Sequence, residues 1–283
     1  MKIAIVTDST AVLKEETKNS DCLRVVTVPL IIDGVEQNDL APAEYYEKLK
    51  HTKNFPSTSQ PSIGEMANIY ESLAQEGYDE VVSIHISSGI SGFCSTLKAN
   101  IDDLSPIPVH IFDSLSTSLP MGAMVDSAVE KAKAGEDATS ILDWLEKMRI
   151  AQCIYLVVDD LQHLVRTGRL SNGTALIGSL LQIKPILKFD EEGKIVLFKK
   201  VRTAKKAYKE AIDLVLEELE LYKMKGWVPE IGIAHTNIEE RAADYAKILE
   251  EKTGYPVRIV DLGNVIGTHT GEKTLGFGIM RKA

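Results

Sequence analysis

Short apolar runs alternate with amphipathic stretches along the first half of the chain. Ile3-Ala4-Ile5-Val6 is wholly apolar and stops at Thr7-Asp8-Ser9-Thr10. A run this short without polar alternation predicts a strand buried on both faces, followed by helix-capping residues. Residues 24–29, 81–86 and 109–112 predict further strands. Residues 43–49, 63–73, 121–133 and 140–148 carry apolar positions at helical spacing. Strands that alternate with helices predict a parallel sheet with crossover helices.

The pattern changes after residue 149. Strand-like runs at 153–158, 186–189, 195–201, 230–235 and 257–260 are joined by helical patterns at 204–221 and 239–251. Glu191-Glu192-Gly193-Lys194 reads as a hairpin turn, so this half predicts a mixed or antiparallel sheet. The expected fold is α/β with two domains. Residues 1–149 form an N-terminal α/β/α domain on a parallel sheet, and residues 150–283 a C-terminal α/β domain.

Composition narrows the function classes. Hydrophobic residues make up 44% of the 283 and charged residues 26%, an ordinary balance for a globular chain. Thirty-two basic residues against 41 acidic give a net charge of −9, which speaks against nonspecific nucleic-acid binding. Cys22, Cys94 and Cys153 stand far apart, a poor pattern for a disulfide framework or zinc site. The longest apolar region, residues 175–187, is broken by Gln182 and Lys184 and falls short of the roughly 20 residues a bilayer span needs. The amino terminus carries too few apolar residues for a signal peptide. A reducing, cytoplasmic location is expected, with no metal and no cofactor.

The candidate chemistry lies in hydroxyl-rich turns. Thr7–Thr10, Ser57–Ser62, Ser87–Gly92 and Asp113–Ser118 each follow or adjoin an apolar run. Ligands of open α/β sheets bind beyond the carboxyl ends of strands, where helix N-termini supply free N–H groups. Hydroxyls add adjustable donors, so such turns suit a small anion. Helix capping explains any one of them equally well. No G-x-G-x-x-G, H-E-x-x-H or G-x-S-x-G motif is present, and Glu272 breaks the P-loop spacing of Gly267–Thr274. Asp8 follows the first strand as a phosphotransferase aspartate does, but without a second acid at Thr10. His51, His110 and His163 read as surface or turn residues, and His85 and His235 as core histidines. His269, between Thr268 and Thr270 and flanked by Gly267 and Gly271, reads equally as a turn or a site. Arg169 on spacing alone is a solvated loop arginine.

Taken in order, these turns resemble the DegV family of bacterial fatty-acid-binding proteins, also called FakB. Thr7–Thr10 resembles the family's opening motif, and Thr58-Ser59-Gln60-Pro61-Ser62 its T-S-Q-P-S signature. Ile86–Gly92 resembles I-S-S-G-L-S-G, and Asp113–Ser116 resembles D-S-x-S. Gly168–Ser171 and Ile183–Leu187 resemble G-R-I-S and I-K-P-I-L, and Val265–Gly271 resembles V-I-G-T-H-T-G. The resemblance implies a single long-chain, palmitate-like fatty acid between the two domains. Thr58 and Ser91, with help from the Gly92 amide, would hold its carboxylate, Ser59 would belong to the same ligand-binding set, and Arg169, His269 and Thr270 would line the head-group end. It further implies no chemistry of the protein's own. The acid would be presented to a separate fatty acid kinase for acyl-phosphate formation in phospholipid synthesis, with transient contact to a membrane surface. The chain departs from the family pattern at Phe93-Cys94, Thr167, Pro120 and Glu272-Lys273. Two other readings stand beside this one. One is a stand-alone hydrolase or phosphotransfer enzyme with Ser91 as nucleophile and His269 as base. The other is a lipid-sensing regulatory protein.

Overall fold

The computed structural model describes residues 1–38, 40–173 and 183–282. Most of the apolar stretch at residues 175–187 lies outside them.

The first sheet has the order β2-β1-β6-β7, all parallel. Its strands are β1 (Ile3–Asp8), β2 (Leu23–Val26), β6 (Glu80–His85) and β7 (Val109–Asp113). Every residue of β1 is buried, as expected for a strand with helices on both faces. The intervening segment carries β3 (Leu30–Ile32), β4 (Val35–Glu36) and β5 (Ser57–Thr58) in a small antiparallel sheet. This sheet escapes the sequence reading because its strands are only two or three residues long, too short to show a period. Helices α1 (Glu15–Lys18), α2 (Pro42–Leu49), α3 (Ile63–Gln75) and α4 (Phe93–Leu104) complete this part. Helix α4 was also not foreseen.

Helices α5 (Ser118–Lys133) and α6 (Ala138–Ala151) join the two halves. Twelve of the 16 residues of α5 are buried. The reason is its position: α5 touches β1 and β6 on one side and strands of the second sheet on the other. A helix so placed has no solvent face to mark with polar residues, so its amphipathicity is weak.

The second sheet is mixed, ordered β10-β9-β8-β13-β11-β12. In chain order its elements are β8 (Cys153–Val157), α7 (Gln162–Arg166), β9 (Lys184–Phe189), β10 (Ile195–Val201) and α8 (Ala204–Met224). Then come β11 (Pro229–His235), α9 (Glu239–Thr253), β12 (Val257–Asp261), α10 (Gly263–Thr270) and β13 (Leu275–Arg281). β13, unforeseen from the sequence, lies antiparallel between β8 and β11, pairing Phe277 with both Tyr155 and Ile233. Alternation along β8 sorts two cores. Tyr155 and Val157 pack with α8, while Ile154 and Leu156 pack with Leu164, Leu187 and Ile195 on the other face.

The predicted hairpin turn between β9 and β10 reaches across to the first half. Its tip carries Gly193 at φ +70°, where Ser87 Oγ donates to the Gly193 carbonyl at 2.7 Å. A Cβ on Gly89 would lie 2.3 Å from that same peptide. Both glycines are therefore needed for the backbones to meet.

Candidate functional site

Two hydroxyl turns and two later segments converge on one cavity. The cavity volume is about 130 Å³, within about 930 Å³ of open space that includes solvent at the mouth. Thr58, Ser59, Ser91, Gly92, Arg169, His269 and Thr270 all line it. The rest of the wall is largely apolar, with Val28, Ile86, Ile90 and Phe93 from the first half and Leu156, Leu164, Ile195, Leu262 and Ile266 from the second.

Each polar residue is placed by a local rule. Thr58 is the last residue of the two-residue strand β5, paired with Leu30. Ser62, five residues into the same turn, caps α3 by accepting from the Glu65 amide at 3.1 Å. Ser91 and Gly92 sit at the amino end of α4, with the Phe93 amide 3.3 Å from Ser91 Oγ. Ser59 and Gly92 are exposed and Thr270 is buried, so the polar end of the cavity faces solvent at the two N-terminal turns.

His269 and Thr270 occupy the last turn of α10, a helix where the sequence suggested a turn. The glycines have a packing reason: a Cβ on Gly267 would meet the Tyr46 hydroxyl at 2.1 Å. The helix is pinned by Tyr45, whose hydroxyl lies 2.7 Å from Thr268 Oγ1, and by His163, whose Nδ1 lies 3.2 Å from the Thr268 carbonyl. His163 is thus a half-buried buttress, not the surface residue expected.

His269 Nε2 and Thr58 Oγ1 are 2.8 Å apart, while His269 Nδ1 is buried with no hydrogen-bond partner among the described residues. Burial, then the Arg169 guanidinium, then His163 push the imidazole down to about pKa 4. Its place at a helix C-terminus favours the cation by only about 0.3–1 kcal/mol, so desolvation wins and His269 is neutral at pH 7. Arg169 is not solvated as a lone loop arginine would be. Its Nε donates to the Ile90 carbonyl at 3.2 Å and its Nη1 to the Thr167 carbonyl. It thereby ties the Ser87–Gly92 turn to the second half and brings a positive charge to the cavity.

The other two hydroxyl turns are mostly consumed internally. Asp8 is fully buried and takes His85 Nδ1 at 3.0 Å, the Ile86 amide at 3.0 Å and the Thr10 hydroxyl at 2.5 Å. Burial raises its pKa, but His85 and these donors outweigh it and leave it lowered. His85 continues through Ser83 to Tyr70, so it is a satisfied core histidine and Asp8 is closed to any substrate. Asp113 Oδ1 accepts from the Ser88 and Leu115 amides, and Ser114 Oγ donates to the Ser116 carbonyl. From this last turn only Thr117 and Ser118 reach the cavity. Ser118, at φ +54°, keeps a buried hydroxyl without a hydrogen-bond partner among the described residues.

The serine–histidine pairing is not assembled: His269 is bonded to Thr58, and Ser91 Oγ accepts from its own helix. Among the described residues no cluster of three or more His, Cys, Asp or Glu could hold a metal, and no helix is long and apolar enough to cross a membrane.

The family model described as "Uncharacterised protein, DegV family" matches residues 2–282. The chain belongs to the DegV family. A DegV domain-containing protein of Streptococcus pyogenes serotype M3 is 39% identical, with 99% of each chain covered. One of Listeria innocua serovar 6a is 41% identical, with 97% of each covered. Among solved DegV structures, the fatty acid binding protein from Streptococcus agalactiae matches with TM-score 0.93 and 38% identity. DegV from Bacillus subtilis, also described as a fatty acid binding protein, matches with TM-score 0.88 and 39% identity, and both comparisons cover 100% of each chain. The parallel sheet, the mixed sheet and their pairing are those of the DegV fold.

The residues of the apolar wall are not legible in the sequence. They come from seven or more separate segments, and each looks like ordinary core. Period-two alternation on β8 was the one available signal, since Ile154 and Leu156 share a face that the α8 core does not use.

Proposed function

We propose that this DegV protein binds one long-chain fatty acid, with its carboxylate at Thr58, Ser59, Ser91 and Gly92 and its tail along the apolar wall. The observation that carries the reading is the mixed lining of the cavity. Hydroxyls, Arg169 and a neutral histidine share it with a largely apolar wall. The fatty-acid-binding descriptions of the Streptococcus agalactiae and Bacillus subtilis neighbours support it. The ligand sits between an N-terminal domain of residues 1–149 and a C-terminal domain of residues 150–283.

The energetics fit a carrier. Burying roughly fourteen methylenes at ~0.8 kcal/mol each supplies on the order of 11 kcal/mol before ordering costs. One hydrogen bond to a carboxylate adds about 1.5–3 kcal/mol. The tail therefore sets affinity and the hydroxyls set orientation. Ser91 donates through its hydroxyl, and when His269 Nε2–H donates to Thr58 Oγ1 the single Thr58 hydroxyl proton is left for the carboxylate.

We further propose that the exposed carboxylate end is presented to a separate fatty acid kinase in the cytoplasm, supplying acyl phosphate for phospholipid synthesis. A carboxylate oxygen would attack the γ-phosphorus of ATP, the bond to the β-phosphate oxygen would break, and ADP would leave. Loading and unloading proceed by transient contact with a membrane surface. The binding protein contributes position and not bond-making, and needs no cofactor. The test is acyl-phosphate formation from ATP and hexadecanoate with a bacterial fatty acid kinase, with and without this protein. Product that depends on the protein and falls with Ser91→Ala supports the role. Tight lipid binding without any kinase response favours a lipid sensor instead.

A further inference from the structure

Beyond the apolar cavity lies an open groove on the molecular surface, and the two share a wall. Among the described residues, Ile154 and Phe189 line both. The turn after β7 passes from one to the other, since Leu115 and Ser116 face the groove and Thr117 and Ser118 the cavity. Leu115 and Ser118 both hold positive φ, +50° and +54°, so the turn is held in a conformation that non-glycine residues rarely adopt. Phe189 is half-buried at the end of β9, so among the described residues it and Ile154 form the wall shared by the cavity and the groove. The groove offers a hydrocarbon partial cover. Its lining sets Ile150, which is 76% exposed, Leu221, which is 48% exposed, and Trp227 among charged residues that include Lys188, Glu191 and Glu218.

We propose that Phe189, backed by Ile154 and the 115–118 turn, is the stop that sets the longest acyl chain this protein accepts. The groove behind is where a longer tail would emerge. This rests on the fatty-acid reading of the cavity and adds to it the residue that measures chain length. A phenyl ring closes the passage, whereas removing it joins cavity to groove without touching the carboxylate end. Each further methylene that gains apolar cover is worth up to roughly a factor of four in affinity, so a modest opening gives a measurable change in preference.

The experiment compares binding of hexadecanoic and docosanoic acid to wild type, Phe189→Ala and Leu164→Ala after delipidation. Leu164 lines the cavity but not the groove, so its truncation hollows the site without opening the wall. In Phe189→Ala the affinity ratio of docosanoic over hexadecanoic acid should rise about tenfold or more over wild type. In Leu164→Ala it should rise less. An unchanged ratio in Phe189→Ala, or an equal rise in both variants, overturns the assignment. Should Phe189→Ala fail to fold, Phe189→Leu carries the same comparison with a smaller rise. Wild-type binding of hexadecanoic acid reports separately on the fatty-acid reading: uptake with an unchanged variant ratio sinks only the stop, and no uptake of either acid sinks both.

Discussion

Thr58→Val isolates the head group from the tail. The substitution keeps the shape and β-branching of the side chain and removes one hydroxyl, which lies 2.8 Å from His269 Nε2 at the polar end of the cavity. Two effects follow. The carboxylate loses a donor worth about 1.5–3 kcal/mol, equivalent to roughly ten- to a hundredfold in affinity. His269 also loses its ring partner, and since Nδ1 already lacks one among the described residues, the free protein is destabilised by about 1–3 kcal/mol. The tail is untouched, so roughly 11 kcal/mol of methylene burial still favours binding. Hexadecanoic acid should therefore bind the variant measurably but more weakly. Hexadecan-1-ol, which has no carboxylate to lose, should bind it nearly as it binds wild type. Fluorescence displacement of a bound acyl probe by each ligand gives both constants. An acid-to-alcohol preference that is the same in variant and wild type would refute the placement of the carboxylate at Thr58. Equal losses for acid and alcohol would show that Thr58 only supports the cavity.

Four further outcomes follow from the same geometry. With His269 held near pKa 4 in the folded state against about 6.5 unfolded, the unfolded chain binds the proton more readily between these values. Stability should fall as pH drops from 6.5 to 4, by at most about 3 kcal/mol, and denaturant melts of His269→Gln should lack that part of the slope. A bound carboxylate raises the imidazole pKa, so calorimetry near pH 5 should show proton uptake on fatty acid binding that His269→Gln loses. His85→Leu leaves the buried Asp8 carboxylate without one of its hydrogen-bond donors, and chemical denaturation should record a loss of about 1.5–3 kcal/mol. Gly89→Ala drives a methyl into the Gly193 peptide; thermal melts should show about 1–3 kcal/mol of destabilisation, with weaker lipid retention because the Ser87–Gly92 turn is displaced.

What was legible in the sequence is what period and punctuation can report. The apolar runs of β1, β6 and β7 and the helical spacing of α3, α8 and α9 predicted those elements to within a few residues. Elements without a period were not legible. β5 has two residues, α10 is interrupted by Gly267, which makes room for Tyr46, and β13 alternates glycine with large apolar residues because Ile154 and Leu156 press on it. At the site, hydroxyl turns were visible as residue types, but capping and ligand binding use the same residues. Only three-dimensional packing separates Asp8, Ser114 and Ser62, whose bonds close within the protein, from Thr58, Ser91 and His269, which meet at one cavity. Family resemblance singled out the latter group, and spacing alone would not have done so.

The central claim is tested most directly by weighing what the protein carries. The folded protein, purified without detergent, is measured by native mass spectrometry before and after solvent extraction, and the extract is identified. The account predicts a mass excess corresponding to one long-chain fatty acid per chain, removed by extraction and restored by hexadecanoate. A chain with no mass excess that also takes up no fatty acid when offered would contradict it.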